Sequence, residues 1–164
     1  MKATIEMYKE IAGLSKAETQ EDIPDNLSDQ LKIFNLAQTQ RVEKPWGFEI
    51  WISDGTECPY AFKIIGLKKG KKTSLQYHKK KSEHNFILSG QALLHYEDKI
   101  SGAVTTSGVL TTGCVIRVLP PAIHRIEALT DLILIEASSP ELDDVFRIQD
   151  DTNRPHGRIA AEHR

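Results

Sequence analysis

The chain has 164 residues, of which 40% are hydrophobic and 27% charged, and its formal net charge is -2 at pH 7. This length and mixture indicate one globular domain with a substantial core. The near-balanced charge excludes a strong attraction to nucleic acid or to an anionic membrane, and the lack of a ~20-residue apolar run or a secretory leader predicts a cytoplasmic protein.

Residues 1–40 differ from the rest of the chain in the spacing of their apolar side chains. Helical spacing occurs twice, at Ile5, Tyr8, Ile11 and Ala12 and again at Leu27, Leu31 and Phe34. The polar, acidic stretch 16–25 between the two sets is typical of a linker. We therefore predict an N-terminal extension with one or two short helices, packed on the outside of the domain or on a second subunit of a homodimer.

From residue 41 the pattern changes to short runs rich in β-branched and aromatic residues. We predict eight strands: Trp46–Ile52, Tyr60–Leu67, Thr73–His78, Asn85–Leu88, Ala92–Tyr96, Val115–Leu119, Ile123–Ala128 and Leu132–Ala137. Turn residues separate many of them, and intervals of roughly 8 to 12 residues are typical of an all-β sandwich or barrel. Residues 41–154 are therefore predicted to form the domain, and the polar residues 155–164 a loose C-terminal tail.

Four polar residues of this domain have the spacing of a metal site. Gln76 and His78 are two residues apart, so both side chains leave the same face of a strand. Glu83 follows after a turn, and His124 lies on a distant strand. Two imidazoles, a carboxylate and an amide oxygen suit one divalent ion such as Zn, Mn, Fe, Co or Ni. Gln76 as a plain strand residue is the alternative, which leaves His78, Glu83 and His124 as the ligands.

The same residues resemble the cupin pattern, in which a Gly is followed by a His-x-His pair, a Glu, a second Gly and a later His. Segment 74–84, Ser-Leu-Gln-Tyr-His-Lys-Lys-Lys-Ser-Glu-His, is similar to the core of type II mannose-6-phosphate isomerase, the C-terminal isomerase domain of the enzyme fused to mannose-1-phosphate guanylyltransferase. Lys81 stands where that family has Arg. Further similarity at 44–47, 62–63 and 144–154 extends the resemblance over residues 41–154.

This resemblance implies the fold, the cofactor and the reaction. The implied fold is the all-β double-stranded β-helix, the cupin jelly-roll barrel, and the implied reaction is aldose-ketose isomerisation of a sugar phosphate in carbohydrate metabolism, including polysaccharide biosynthesis. One divalent metal would be held by Gln76, His78, Glu83 and His124. Lys81 and Arg125 are the candidate catalytic residues, and Lys63, Asn85 and Arg147 are candidates for substrate binding.

Two of these candidates carry a reservation from the residues themselves. Lys81 is a point charge, whereas the Arg of the family offers a planar fork for phosphate. Arg125 follows His124 directly, so strict alternation sends it to the opposite face of its strand. No residue of the sequence identifies the base that would move the proton.

Other functions are compatible with the same barrel, because a fold does not decide chemistry. A non-catalytic cupin that binds a sugar or sugar phosphate is one alternative. An epimerase or an Fe(II) dioxygenase is another, although Gln76 in place of His disfavours the oxygenase.

Overall fold

The computed structural model describes residues 2–14, 26–28 and 31–159 of the chain. Helix α1 spans Lys2–Leu14, and a short 3-10 helix spans Leu36–Gln38. The first seven strands are β1 Asn26–Ser28, β2 Leu31–Lys32, β3 Gln40–Lys44, β4 Gly47–Asp54, β5 Ala61–Leu67, β6 Leu75–Tyr77 and β7 Glu83–Ser89. The others are β8 Gln91–Glu97, β9 Val104–Thr106, β10 Leu110–Thr111, β11 Val115–Val118, β12 His124–Ala128, β13 Leu132–Ser138, β14 Phe146–Gln149 and β15 Gly157–Arg158.

Two antiparallel sheets enclose the core. One has six strands in the order β11-β7-β13-β5-β4-β3, and the other has the order β10-β8-β12-β6-β14-β15, with β9 paired to β8. Neighbours in these sheets are mostly distant in sequence, which is the connectivity of a jelly roll rather than of simple hairpins. The predicted all-β fold is confirmed, and each of the eight predicted strands overlaps an observed one.

The interior of the barrel is apolar at one end and polar at the other. Strands alternate their side chains, so residues paired directly across neighbouring strands share a face. The apolar end holds buried side chains from both sheets, namely Trp46, Ile65, Leu67, Ile87, Ala92, Ile116, Val118, Ile126, Ala128, Leu132 and Leu134. At the polar end, Lys63, Glu136 and Asn85 form one row across β5, β13 and β7, and Ser138 and Glu83 form the next row. These five polar residues are all buried, so the six-stranded sheet contributes both the core and a charged pocket.

Helix α1 packs on the outer face of the six-stranded sheet. Tyr8, Ile11 and Ala12 contact a small cluster around Phe48 and Ile133, and the rings of Tyr8 and Phe48 are 5.5 Å apart. This confirms the first predicted helix and its position on the outside of the domain. It is too short and polar to cross a membrane, as is every helix in the described ranges.

The second predicted helix is wrong. The chain forms the short hairpin of β1 and β2 there, followed by the 3-10 helix. Leu31 and Phe34 are 55% and 42% exposed, so the apolar side chains have no core to cover, and a short helix is not stable without such packing. The predicted linker at 16–25 lies outside the described residues.

The interpretation of 155–164 as a loose tail is also wrong where the structure describes it. β15 pairs with Phe146 and Arg147 of β14, and Arg147 donates a hydrogen bond from Nη1 to the Pro155 carbonyl at 2.9 Å. Short polar edge strands show no alternation of apolar residues, so no periodic pattern predicts them. The division at residues 40 and 154 otherwise stays a prediction, as does the homodimer.

Candidate metal centre

Three buried side chains from different strands meet at the polar end of the barrel. His78 follows β6, Glu83 begins β7, and His124 begins β12. One ligand atom from each lies within 4.8 Å of the other two. Since strand ends place these residues, their convergence depends on the pairing of the two sheets and not on a local loop.

The hydrogen bonds of the two histidines leave their Nε2 atoms as acceptors. Nδ1 of His78 lies 2.6 Å from the carbonyl oxygen of Asp144, and Nδ1 of His124 lies 3.1 Å from that of Ala122. A carbonyl only accepts, so each Nδ1 carries a hydrogen, and in the neutral ring each Nε2 then presents a lone pair. His78 Nε2 is buried without a hydrogen-bond partner in the part of the chain that the structure describes.

Both lone pairs face the carboxylate of Glu83. Nε2 of His78 is 3.2 Å from Glu83 Oε1, and Nε2 of His124 is 3.6 Å from Glu83 Oε2. With both imidazoles neutral, these groups present three acceptor atoms to one buried place, and a cation between them would satisfy all three. Two neutral imidazoles and a carboxylate are a donor set that Zn²⁺ and other divalent first-row ions accept, so these residues fit a metal ion.

Gln76, the predicted fourth ligand, lines the same cavity. It is paired across the sheet with His124 on one side and Arg147 on the other, so the three residues share the inward face. Its side-chain oxygen accepts a hydrogen bond from Ser74 Oγ at 2.7 Å. A carbonyl oxygen has two lone pairs, so this bond orients Gln76 while leaving one acceptor position. Its role as a ligand stays a prediction.

Lys81 lies beside the three-residue group and neutralises part of its charge. Its Nζ is 2.5 Å from Glu83 Oε1 and 2.9 Å from Glu136 Oε1. Burial disfavours the charged amine, but the two carboxylates outweigh it and raise the pKa of Lys81 well above its ordinary value. Burial by itself would raise the pKa of Glu83. The Lys81 ammonium outweighs this effect, so the pKa of Glu83 lies well below its ordinary value. Lys81 is therefore a cation at neutral pH and is unsuited to be a general base.

A second buried lysine, Lys63, lies on the other side of Glu136, on β5. Its Nζ is 3.7 Å from Glu49 Oε2, 4.0 Å from Glu136 Oε1 and 4.0 Å from the centroid of the Trp51 ring. The Trp51 indole donates a hydrogen bond to Glu49 Oε2 at 2.9 Å. Acids and bases thus alternate from Glu49 to Glu83, which compensates the buried charges.

The other predicted site residues, Asn85, Arg147 and Arg125, lie in three different positions. Asn85 donates from Nδ2 to Glu83 Oε2 at 3.4 Å and lines the cavity beside Lys63. Arg147 is buried on the inward face of β14, but Pro155 and Asp150 hold its guanidinium, and its substrate-binding role stays a prediction.

Arg125 points away from the site, and this contradicts the prediction that it is catalytic. Its Nε donates to the Thr73 carbonyl at 2.7 Å, and its Nη2 contacts Asp151 at 2.7 Å. The alternation of β12 is the reason, because His124 occupies the inward position next to it.

The cavity beside the metal ligands is small, about 70 Å³, and it is lined from both sheets. Five of its polar lining residues were not among the site candidates from the sequence: Glu49, Thr73, Ser74, Glu136 and Arg154. Glu136 had a usable signal, because it follows Leu132 and Leu134 at strand spacing and so is a charged residue on an inward face. Arg154 had none beyond its place in the family-like ending, since the preceding turn brings it inward.

Asp144 holds the turn that carries His78 and Lys81. Its Oδ2 accepts hydrogen bonds from the backbone N–H of Lys80 at 2.5 Å and of Lys81 at 2.9 Å, and its carbonyl accepts from His78. Asp144→Ala removes the two backbone bonds, and we expect a loss of metal affinity of roughly 10- to 100-fold, measured by competition with a chelating dye. Asp143→Ala is the control, because the neighbouring Asp143 is exposed.

The same contact predicts a pH dependence. Burial raises the pKa of Asp144, but the backbone donors of residues 79–81 lower it below its ordinary value. This contribution to stability is therefore present above a pH of about 4 and is lost as the pH falls through the lowered value. Acid titrations that give the same midpoint for Asp144→Ala and the wild type would contradict this role.

A two-sheet antiparallel barrel with a His/Glu/His group inside it defines a cupin. Residues 33–150 match the family model described as the mannose-6-phosphate isomerase C-terminal domain, and the chain belongs to this family. No curated protein matches the chain at a significant level.

Similar solved structures agree on the fold. Oxalate decarboxylase from Lactobacillus farciminis in a formate complex has a TM-score of 0.61 at 18% identity, covering 79% of this chain and 39% of that one. The capsular polysaccharide assembling protein CapF from Staphylococcus aureus has a TM-score of 0.57 at 15% identity, covering 68% and 34%. The oxalate decarboxylase of Bacillus subtilis, described with Mn(II) centres, has a TM-score of 0.60 at 18% identity, covering 78% and 36%. The chain spans about a third of the length of CapF.

Proposed function

We propose that the protein is a metal-dependent isomerase of the mannose-6-phosphate isomerase type, which interconverts the aldose and ketose forms of a sugar phosphate. The observation that carries this proposal is the convergence of His78, Glu83 and His124, with both Nε2 atoms as acceptors, at the polar end of the barrel. Membership of the family supports the same reaction class. The similarity to CapF suggests a role in making precursors of a surface polysaccharide.

The proposed ligands are His78, Glu83 and His124, with the amide oxygen of Gln76. One divalent ion held there supplies Lewis acidity to the carbonyl and adjacent hydroxyl oxygens of the open-chain sugar. Asn85 keeps the Glu83 carboxylate oriented through its hydrogen bond. Lys81 places a fixed positive charge next to the reacting oxygens, where negative charge develops as a proton leaves carbon.

The size of the cavity decides how such a substrate would enter. A space of about 70 Å³ is far below the 300–1,000 Å³ of a usual ligand pocket and holds about two waters. Only the end of the sugar that carries C1 and C2 would enter it, and the phosphate would stay towards the opening. Arg154 lines the cavity and is partly exposed, and Asp150 orients its guanidinium through contacts of 2.6 and 3.1 Å, so we assign Arg154 to the phosphate.

Proton exchange in deuterated water tests this function. The metal-replete protein is incubated with a panel of hexose and heptose 6-phosphates and followed by NMR. We expect deuterium at C1 or C2 of one sugar and formation of its ketose or aldose partner. Absence of exchange with every member of the panel would refute the isomerase.

A sugar-binding cupin without turnover is the second candidate. It is favoured by the compensated charges, since Lys81 and Lys63 are each already held by carboxylates. In that case the same sugar phosphates would raise the melting temperature without any exchange of hydrogen at carbon.

A further inference from the structure

Within the described part of the chain, three buried glutamates line the cavity at the polar end of the barrel, and they differ in what holds them. They are Glu49, Glu83 and Glu136. An aldose-ketose interconversion through an enediol needs a basic group within reach of the hydrogens at C1 and C2. Glu83 is a proposed ligand, so the choice among these three lies between Glu49 and Glu136.

Glu136 lies close to the proposed metal ligands. It lies between Lys63 of β5 and Asn85 of β7 in one row of the inward face, is 5% exposed, and lines the cavity. The ammonium of Lys81 contacts both Glu136 Oε1 and Glu83 Oε1, at 2.9 and 2.5 Å. The two carboxylates are therefore within reach of one amine, and a sugar bound beside Glu83 would be next to Glu136.

Glu49 lies farther from the ligands and is held by other groups. It accepts the Trp51 indole hydrogen bond and lies within 4.0 Å of both Lys44 and Lys63. Its cross-strand neighbour on β5 is Ile65, in the row that leads to the apolar end. These contacts indicate a structural role for Glu49.

The two histidines His84 and His95 point away from the cavity. His84 is exposed on the outer face of β7, and His95 pairs with Glu127 on the outer face of its sheet at 2.7 Å. Neither reaches the cavity between the sheets.

We infer that Glu136 is the carboxylate that moves the substrate proton, an assignment that rests on the proposed isomerase function. The C2–H bond of the aldose breaks and the proton goes to Glu136. The electron pair of the broken C2–H bond forms the C1–C2 double bond of the enediolate. Glu136 then returns the proton to C1, while the C2 hydroxyl proton is transferred to the oxygen of C1, and the ketose forms. No oxidant or reductant is consumed. Lys81 positions the carboxylate for both transfers.

Glu136→Gln in the metal-replete full chain tests the assignment. We expect metal content equal to the wild type by mass spectrometry, and deuterium exchange at carbon slower by 10²- to 10⁴-fold, the usual contribution of a general base. Glu49→Gln removes a buried carboxylate from the same charge network, and we expect it to keep exchange. Glu136→Asp retains a carboxylate that is set back by one methylene, so exchange should fall at least about tenfold while the metal affinity is unchanged.

The outcomes distinguish a failure of the Glu136 assignment from a failure of the isomerase proposal. Exchange by Glu136→Gln or Glu136→Asp at the wild-type rate would overturn the role of Glu136 and leave the isomerase intact. Absence of exchange in the wild type would overturn both. If Glu136→Gln is poorly folded because Lys81 loses a partner, Glu136→Asp decides the question, since it keeps the charge.

Discussion

His78→Ala is expected to abolish stoichiometric binding of a divalent metal and, with it, all measurable turnover. The ring is completely buried, its Nδ1 is committed to the Asp144 carbonyl, and its Nε2 faces Glu83 without a hydrogen-bond partner among the described residues. Removing it leaves two of the three converging groups. Metal content after gel filtration, measured by plasma mass spectrometry, should fall from about one ion per chain to near zero.

His84→Ala is the matched control for this experiment. His84 is next to Glu83 in sequence, but it is exposed on the opposite face of β7. The variant should bind metal and unfold like the wild type, because surface substitutions usually change stability by less than about 0.5 kcal/mol. Equal metal content in His78→Ala and the wild type would contradict the proposed centre, whatever the activity of the two proteins.

Lys81→Met is expected to destabilise the metal-free protein strongly and to make metal binding tighter. Lys81 is 3% exposed and is the shared partner of Glu83 and Glu136, so the variant leaves two buried carboxylates close together without their cation. Removing one partner of a buried ion pair costs about 3–5 kcal/mol. A divalent ion at Glu83 restores positive charge and no longer meets the repulsion of an ammonium.

This prediction is measured by denaturant unfolding with and without metal. The free energy of unfolding without metal should fall, and the stabilisation produced by a fixed metal concentration should exceed that of the wild type. Lys80→Met is the control, since Lys80 is the exposed neighbour in the same turn. A metal-induced stabilisation that is equal in Lys81→Met and the wild type would show that Lys81 does not compete with the ion.

The fold could be predicted mainly because its inner strands are long and their residues alternate between the inward and outward faces. β7 reads Glu-His-Asn-Phe-Ile-Leu-Ser, and its inward positions are the buried ones. The errors concern segments without such a signal: the hairpin of β1 and β2, and the pairing of β15 with β14. These strands have two to four residues, and pairing with a distant strand decides their conformation.

The ligand group could be predicted because strand alternation and a short sequence motif indicate its members. The interval between Gln76 and His78 defines one face of a strand, and the similarity to the cupin pattern, with its Glu and its later His, adds Glu83 and His124. The contacts among the surrounding polar residues could not be predicted in this way. Glu136 is 73 residues from Lys63 and 51 residues from Asn85 along the chain, and only the register of β5, β13 and β7 brings the three into one row.

The local pattern of this chain therefore specifies its β-strands, its all-β class and a set of metal-type ligands, since strand alternation and short motifs act over a few residues. The direction of Arg125 away from the site, the shared ammonium of Lys81 and the position of Glu136 beside it follow from the pairing of distant strands. Such pairing is specified by the packing of the two sheets against each other, because shifting one strand by a single residue would turn all of its inward side chains outward.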